Sequence, residues 1–361
     1  MSPSPITEAA LVVIAGFMTA WALSYLLHST LAFLAASLVT RLCTLSPIDR
    51  ARTWRFVIIA PFATAFISAL GLDAGPLTWE VSGYVPQRLV DWRSGVISLL
   101  PLFLAPVVIV AGWRTGRTLM TRVFGRRRPA ASELQDQVAS LAIIVGCRAP
   151  KVTVSATSVV PAAIGFSEIC VPEAMAASAT RDEQRALLAH EMAHLKRRDP
   201  LWSMLVGNLV RVTRFQPLNK VALSRMRAAC EEAADDVAVR ATGDPSALAR
   251  GLAGLATMLV VFSGGAAASG SPVVERVGRL LDHERPRPTP WRRSVAGMMT
   301  IIAMAAMIWL GPGVAADADE MASRLPWLAP SREEPSARML DVRRTTRQWR
   351  DSLNRAFRSF P

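Results

Sequence analysis

Four stretches of the chain are apolar over a length that fits a bilayer. Ala9 to Val39 is interrupted only by Ser, Thr, Tyr and His28. It exceeds the roughly 20 residues a span needs, which predicts one long tilted helix or a span with an interfacial extension. Phe56 to Leu72, Gly95 to Trp113 and Ser294 to Val314 predict a second, third and fourth span. Between the third and fourth the pattern changes to that of a folded domain. Ser132-x-x-Gln135 predicts a capped helix with Leu134, Val138, Leu141, Ala142 and Val145 on one face. Lys151 to Ser155 alternates as a strand does. Arg185 to Arg198 lacks Gly and Pro and carries Leu187, Leu188, Met192 and Leu195 on an apolar side, until Asp199-Pro200 stops or kinks it. Val221 to Thr242 and Ser246 to Phe262 predict two more helices, and Gly264 to Pro272 reads as a flexible linker.

Arginines give these spans an orientation. The first loop carries Arg41, Arg50, Arg52 and Arg55, whereas the loop from Asp73 to Arg93 is nearly neutral. Arg114, Arg117, Arg122 and Arg126 to Arg128 follow the third span, and Arg285, Arg287, Arg292 and Arg293 precede the fourth. The positive-inside rule then places the first loop and residues 114–293 in the cytosol and both termini outside. The expected organisation is three spans in 1–113, a cytoplasmic α+β domain in 114–293, a fourth span in 294–314 and an extracytoplasmic tail in 315–361. In that tail, Met339, Val342, Trp349, Leu353 and Phe357 recur at roughly helical spacing among arginines. The pattern fits a basic amphipathic helix or a loosely ordered tail equally well.

Composition agrees with a membrane protein: 51% of residues are hydrophobic and mean hydropathy is +0.29, although 19% are charged. The net charge of +13 flanks the spans, so it reads as topology and contact with anionic lipid, and no direct nucleic-acid partner is expected. Cys43, Cys147, Cys170 and Cys230 show no C-x-x-C spacing and suit a reduced cytosolic face and membrane rather than a disulfide framework.

The chemistry sits on the Gly- and Pro-free run. His190-Glu191-Met192-Ala193-His194 places two imidazoles one helical turn apart on one face, so both can bind a single Zn²⁺. Glu191 can then act as a base toward a water whose pKa the cation lowers. Thr180-Arg181-Asp182-Glu183 forms a capping box at the start of the same helix. A second helix offers the remaining ligand: Glu231 and Asp235 are four apart, as are Glu232 and Asp236. One carboxylate can complete a His-His-Glu site, and another, one turn on, can accept the free N–H of a ligand histidine. His28 and His283 have no partners at ligand spacing.

These motifs resemble those of the BlaR/MecR-type membrane metallopeptidases. Pro161-Ala-Ala-Ile-Gly165-Phe with Ile169-Cys-Val-Pro172 resembles the strand pair before the metal helix. Leu187-Leu-Ala-His-Glu-Met-Ala-His-Leu-Lys-Arg-Arg-Asp199 resembles that helix, Glu231-Glu-Ala-Ala-Asp235-Asp236 the glutamate helix, and Arg276-Val-Gly-Arg-Leu-Leu281 the segment before the last span. The resemblance covers about residues 20 to 312. It implies a multi-pass α-helical membrane protein with a cytoplasmic α+β, zincin-like (gluzincin) metalloprotease domain, in a bacterial inner membrane. It further implies zinc as cofactor, His190, His194 and Glu231 as ligands, Glu191 as base and Asp235 as the partner of a ligand histidine. A protein substrate would lie extended along Ala162, Ala163, Ile164 and Gly165. The implied substrate is a BlaI/MecI-type winged-helix repressor or the chain itself, and a homo-oligomer is compatible with it. The chain departs from the family in having Ala234 where a cysteine often precedes the aspartate, and only about fifty residues where sensing members carry a penicillin-binding domain. An HtpX-type quality-control protease and a zinc-binding scaffold that cuts nothing are the rival readings.

Overall fold

The structure, a computed structural model, describes residues 5–69, 79–80, 112, 127–262, 272–282 and 314–315. Two helices come first, α1 (Pro5–Leu42) and α2 (Pro47–Ala69). Within α1, Phe17–Leu42 is long and apolar enough to cross a membrane, the one such helix among the described residues. Most of the second expected span lies in α2, whose first turns carry Asp49, Arg50, Arg52 and Arg55. The third and fourth expected spans, the Gly264 linker, His283 and the tail lie outside the described residues, save single positions at their edges.

One compact unit comprises residues 1–31, 61–105 and 304–361. In it, Trp21, Tyr25 and Phe62 pack ring to ring, with centroids 5.1–5.5 Å apart, and Phe17 meets Phe66 edge-on. Below these rings, His28 Nδ1 lies 2.9 Å from Thr64 Oγ1, both buried, so this histidine has a hydroxyl partner. Two-residue strands β1 (Trp79–Glu80) and β6 (Val314–Ala315) pair in parallel.

The second unit, residues 32–60 and 106–303, holds the α+β domain. Its sheet contains β2 (Arg128–Pro129), β3 (Lys151–Ser155), β4 (Ala162–Ile164) and β5 (Glu168–Pro172) in the order β2-β3-β5-β4. Strand β3 runs parallel to β5, pairing Val152 with Ile169 and Val154 with Val171, and the other two pairings are antiparallel. β4 therefore forms one edge of the sheet among the described residues. Gly165 follows it at φ +59°, a left-handed turn position suited to glycine, and turns the chain into β5.

Seven helices accompany the sheet among the described residues: α3 (Ser132–Val145), α4 (Glu173–Ser178), α5 (Arg181–Lys196), α6 (Asp199–Val212), α7 (Leu218–Thr242), α8 (Pro245–Phe262) and α9 (Pro272–Leu281). α5 runs through the middle, packing on α3, α7, α8 and β4. Its Leu187, Leu188 and Met192 join Val138, Leu141, Ile169 and Leu248 in the core, each at most 2% exposed. The capping box at its start is present: the Thr180 hydroxyl accepts from the Glu183 amide and Glu183 Oε2 accepts from the Thr180 amide, at 3.4 and 3.0 Å. The other expected cap is different. Ala131, not Ser132, is the N-cap of α3, and Gln135 instead clasps the start of β3, donating to Pro150 O and accepting from Val152 N, both at 3.0 Å. Asp199-Pro200 does break the metal helix, but into a second helix that the sequence had not suggested. Arg198 takes φ 55° at the corner and α6 begins at Asp199 with proline in its first turn.

The contact between α5 and α8 depends on Gly251, where an added Cβ would meet Leu187 Cδ1 at 3.0 Å. Leu187 is 2% exposed and belongs to the packed core, so the clash falls inside it. Gly251→Val should destabilise the domain by about 1–3 kcal/mol through overpacking. Thermal melting of the detergent-purified chain checks this; an unchanged midpoint would mean that the helices part at no cost.

Candidate metal centre

The i, i+4 spacing on α5 brings His190 and His194 edge to face, with ring centroids 4.8 Å apart and Nε2 atoms 3.1 Å apart. His190 is 4% exposed. Across from them, α7 presents Glu231, with its carboxylate 3.4 Å from His190 Nε2 and 3.7 Å from His194 Nε2. One donor atom from each of these three residues lies within 4.8 Å of the others. The two carboxylate pairs on α7 separate by helical face. Glu231 and Asp235 turn toward the histidines, whereas Glu232 and Asp236 turn to Arg279, at 2.7 and 3.1 Å.

Each histidine has a carboxylate at its other nitrogen. His194 Nδ1 lies 2.9 Å from Asp199 Oδ2, and His190 Nδ1 lies 3.0 Å from Asp235 Oδ1, although the His190 N–H is not aimed squarely at that oxygen. A carboxylate can only accept, so in each ring Nδ1 carries the proton and Nε2 presents a lone pair. Two lone pairs facing each other at 3.1 Å, with a carboxylate beside them, repel unless a cation or a proton lies between. This nitrogen and oxygen donor set fits a divalent metal.

Each carboxylate has in turn an arginine. Arg276 on α9 grips Asp235 through Nε and Nη2 at 2.9 and 2.7 Å and reaches Glu231 Oε2 with Nη1 at 2.9 Å. Arg197 holds Asp199 Oδ2 at 2.6 Å and the Cys230 carbonyl at 3.0 Å. Asp235 is fully buried and Asp199 is 5% exposed, so these arginines supply the charge that water cannot. Asp199 and Arg276 are the site residues that sequence reasoning missed. A carboxylate just past the metal helix was visible in Asp199 but was read as a helix stop and the end of that helix motif, and Arg276 entered only as the start of the segment before the last span.

Glu191 is buried against the sheet, and its Oε2 accepts from the Ala163 amide at 2.8 Å. Edge strand β4 and its turn, Ala162 to Gly165, thus face the metal-side chemistry and line a cavity of about 670 Å³ that also reaches His190, His194 and Glu231. Glu231 opens toward this cavity, with 39% of its side chain exposed. That leaves room for water or substrate at the open side of the donor set.

The charges of the site are strongly coupled. Burial disfavours a charged imidazole, but hydrogen bonds to Asp235 and Glu231 outweigh it and raise the pKa of His190 to about 9. For Glu231 burial acts upward, yet the two histidines and Arg276 hold the carboxyl down at about 2. Asp235 is likewise held well below the usual range, its burial outweighed by His190 and Arg276. Burial pushes the Glu191 carboxyl up, against the pull of both histidines and the Ala163 amide.

Residues 78–245 match the family model described as BlaR1 peptidase M56. The match includes β3 to α7 and stops before Arg276. No curated protein matches the chain.

Two outcomes follow for metal binding. Without a cation His190 is protonated below pH about 9, while Glu231 is already ionised. A metal must therefore displace about one proton near pH 7, and affinity should fall about tenfold per unit of acidification. Calorimetry in buffers of different ionisation enthalpy measures that proton. Separately, Asp235→Asn should weaken metal binding by about 10- to 100-fold, since an amide supports the histidine less well; competition with a chromophoric chelator gives the ratio.

Proposed function

We propose that the chain, whose residues 78–245 match the family model described as BlaR1 peptidase M56, is a member of that family and an integral-membrane zinc endopeptidase that cuts peptide bonds on the cytoplasmic face. The observation that carries this reading is the meeting of His190, His194 and Glu231 at one point beside the buried carboxylate of Glu191. A zinc ion held by the three ligands would supply a Lewis acid that polarises a carbonyl and acidifies water. Everything else falls to the chain itself. Glu191, its carboxyl pushed up by burial, takes the proton of the attacking water and returns it to the leaving amine. The Ala163 amide fixes the direction of that carboxylate. A substrate in extended form adds to the free edge of β4, its backbone laid across the cavity beside Glu191.

The arginine asymmetry of the loops supports a cytosolic site, with four spans and the tail outside. The substrate we propose is a winged-helix repressor of the BlaI/MecI type, or the chain itself, so that cutting transmits a signal.

Glu191→Gln should retain metal and lose about 10²- to 10⁴-fold in peptide hydrolysis, the range of a single acid–base group. Terminus-resolved proteomics of cells expressing wild type or the variant at equal membrane levels tests the role. New termini in one DNA-binding repressor or in the chain, absent in the variant, support regulation. Fragments of many membrane proteins would support quality control instead. No difference at rest or under cell-wall stress would favour a scaffold that does not cut.

A further inference from the structure

The metal centre is tied to the first helical hairpin by arginines that the hydrolytic reading does not use. From α7, Arg225 reaches up between the two helices, donating to Ser37 Oγ at 3.0 Å and lying 5.2 and 4.8 Å over the rings of Phe33 and Trp54. From α2, Arg50 pairs with Glu232, the neighbour of the third ligand. Five residues on, Arg55 is more deeply buried, with 16% of its side chain exposed. Its Nη2 lies 3.5 Å from Asp199 Oδ1, and its guanidinium stacks 4.5 Å over Trp202.

The division of labour on Asp199 is informative. Oδ2 is taken by His194 and Arg197 at 2.9 and 2.6 Å, and Oδ1 faces Arg55. Carboxylate torsion is broad and two-fold when nothing holds it. With cations on both oxygens the plane is fixed, and with it the line along which His194 points its Nε2. Asp199 and Trp202 are one turn apart on α6, so Arg55 holds that turn at two points. We propose that Arg55 is a positioning residue for the metal centre: through Asp199 it sets the aim of His194, so the seating of α2 on the domain governs how well metal is held. The hairpin is then a working part of the site and not merely its anchor, and a displacement of α2 is felt at the ligand.

This proposal rests on the metal-site reading above, and the test separates the two. The full-length chain in nanodiscs is stripped with chelator and titrated with Zn²⁺ against a chromophoric competitor, with Co²⁺ absorption as a report on ligand geometry. Wild type, Arg55→Gln, Arg55→Lys, Asp199→Asn and the Arg55→Gln/Asp199→Asn double variant are compared, with His190→Ala as the baseline. The expected result is that Arg55→Gln weakens Zn²⁺ binding about three- to tenfold, a step further out than a direct histidine partner, and alters the Co²⁺ spectrum. The same change should have no further effect once Asp199 is Asn, and Arg55→Lys should recover part of the loss. Equal loss in both backgrounds would show that Arg55 acts through general folding and would overturn the relay, as would no loss at all. If Arg55→Gln does not fold, Arg55→Lys, which keeps the charge but not the planar fork over Trp202, takes its place in the cycle. A wild type that binds no tighter than His190→Ala brings down the metal reading and the relay with it. Loss confined to Arg55 variants, with Asp199→Asn unaffected, would overturn the relay and leave the metal reading standing.

Discussion

Two imidazole Nε2 atoms face each other at 3.1 Å inside the domain, and much of the surrounding side-chain network holds them there. Left alone, the rings would swing apart or share a proton. They are kept in place because each is clamped from behind by a carboxylate that can only accept, and each carboxylate is clamped by an arginine. The result is a pair of His–Asp–Arg chains that converge from opposite sides. One comes through α7 and α9, the other through the corner between α5 and α6. Either chain would be costly to bury with one member missing, because an unpaired charge at less than a tenth exposure has no water to replace its partner.

This arrangement explains the unusual shape of the chain around Arg198. A straight continuation of α5 would carry Asp199 onward along the helix, away from the ring it supports. The left-handed residue Arg198 turns the chain, and Asp199 arrives beside His194 as the first residue of a new helix. Strain at one non-glycine position is accepted, and the corner delivers both Arg197 and Asp199 to the site.

The parts of this design that are local were legible in the sequence. The capping box, the Gly- and Pro-free run and the paired histidines all lie within one helix, and the strand Lys151–Ser155 carries its own alternation. Helical spacing alone limited the third ligand to two faces of α7, and the resemblance then chose Glu231 and Asp235. What escaped is tertiary. Arg276 reaches Asp235 across 41 residues and Arg55 reaches Asp199 across 144. In a chain with 41 lysines and arginines, no single arginine announces that it faces inward. Ser132 failed as a cap for a related reason. Propensity favoured it, but Gln135 found a better use on β3, and the helix start moved by one residue.

The reach of Arg276 has a consequence for how the protein comes into being. Both histidines, the base and the acidic helix are all in hand once residue 235 has been made. The guanidinium that neutralises Asp235 and steadies Glu231 arrives only with α9. Until then the chain emerging from the ribosome carries a cluster of carboxylates with one of its counter-charges missing. The donor set is therefore complete along the chain before the arginine that steadies it, and the centre reaches its charge balance only once α9 has been made and packed.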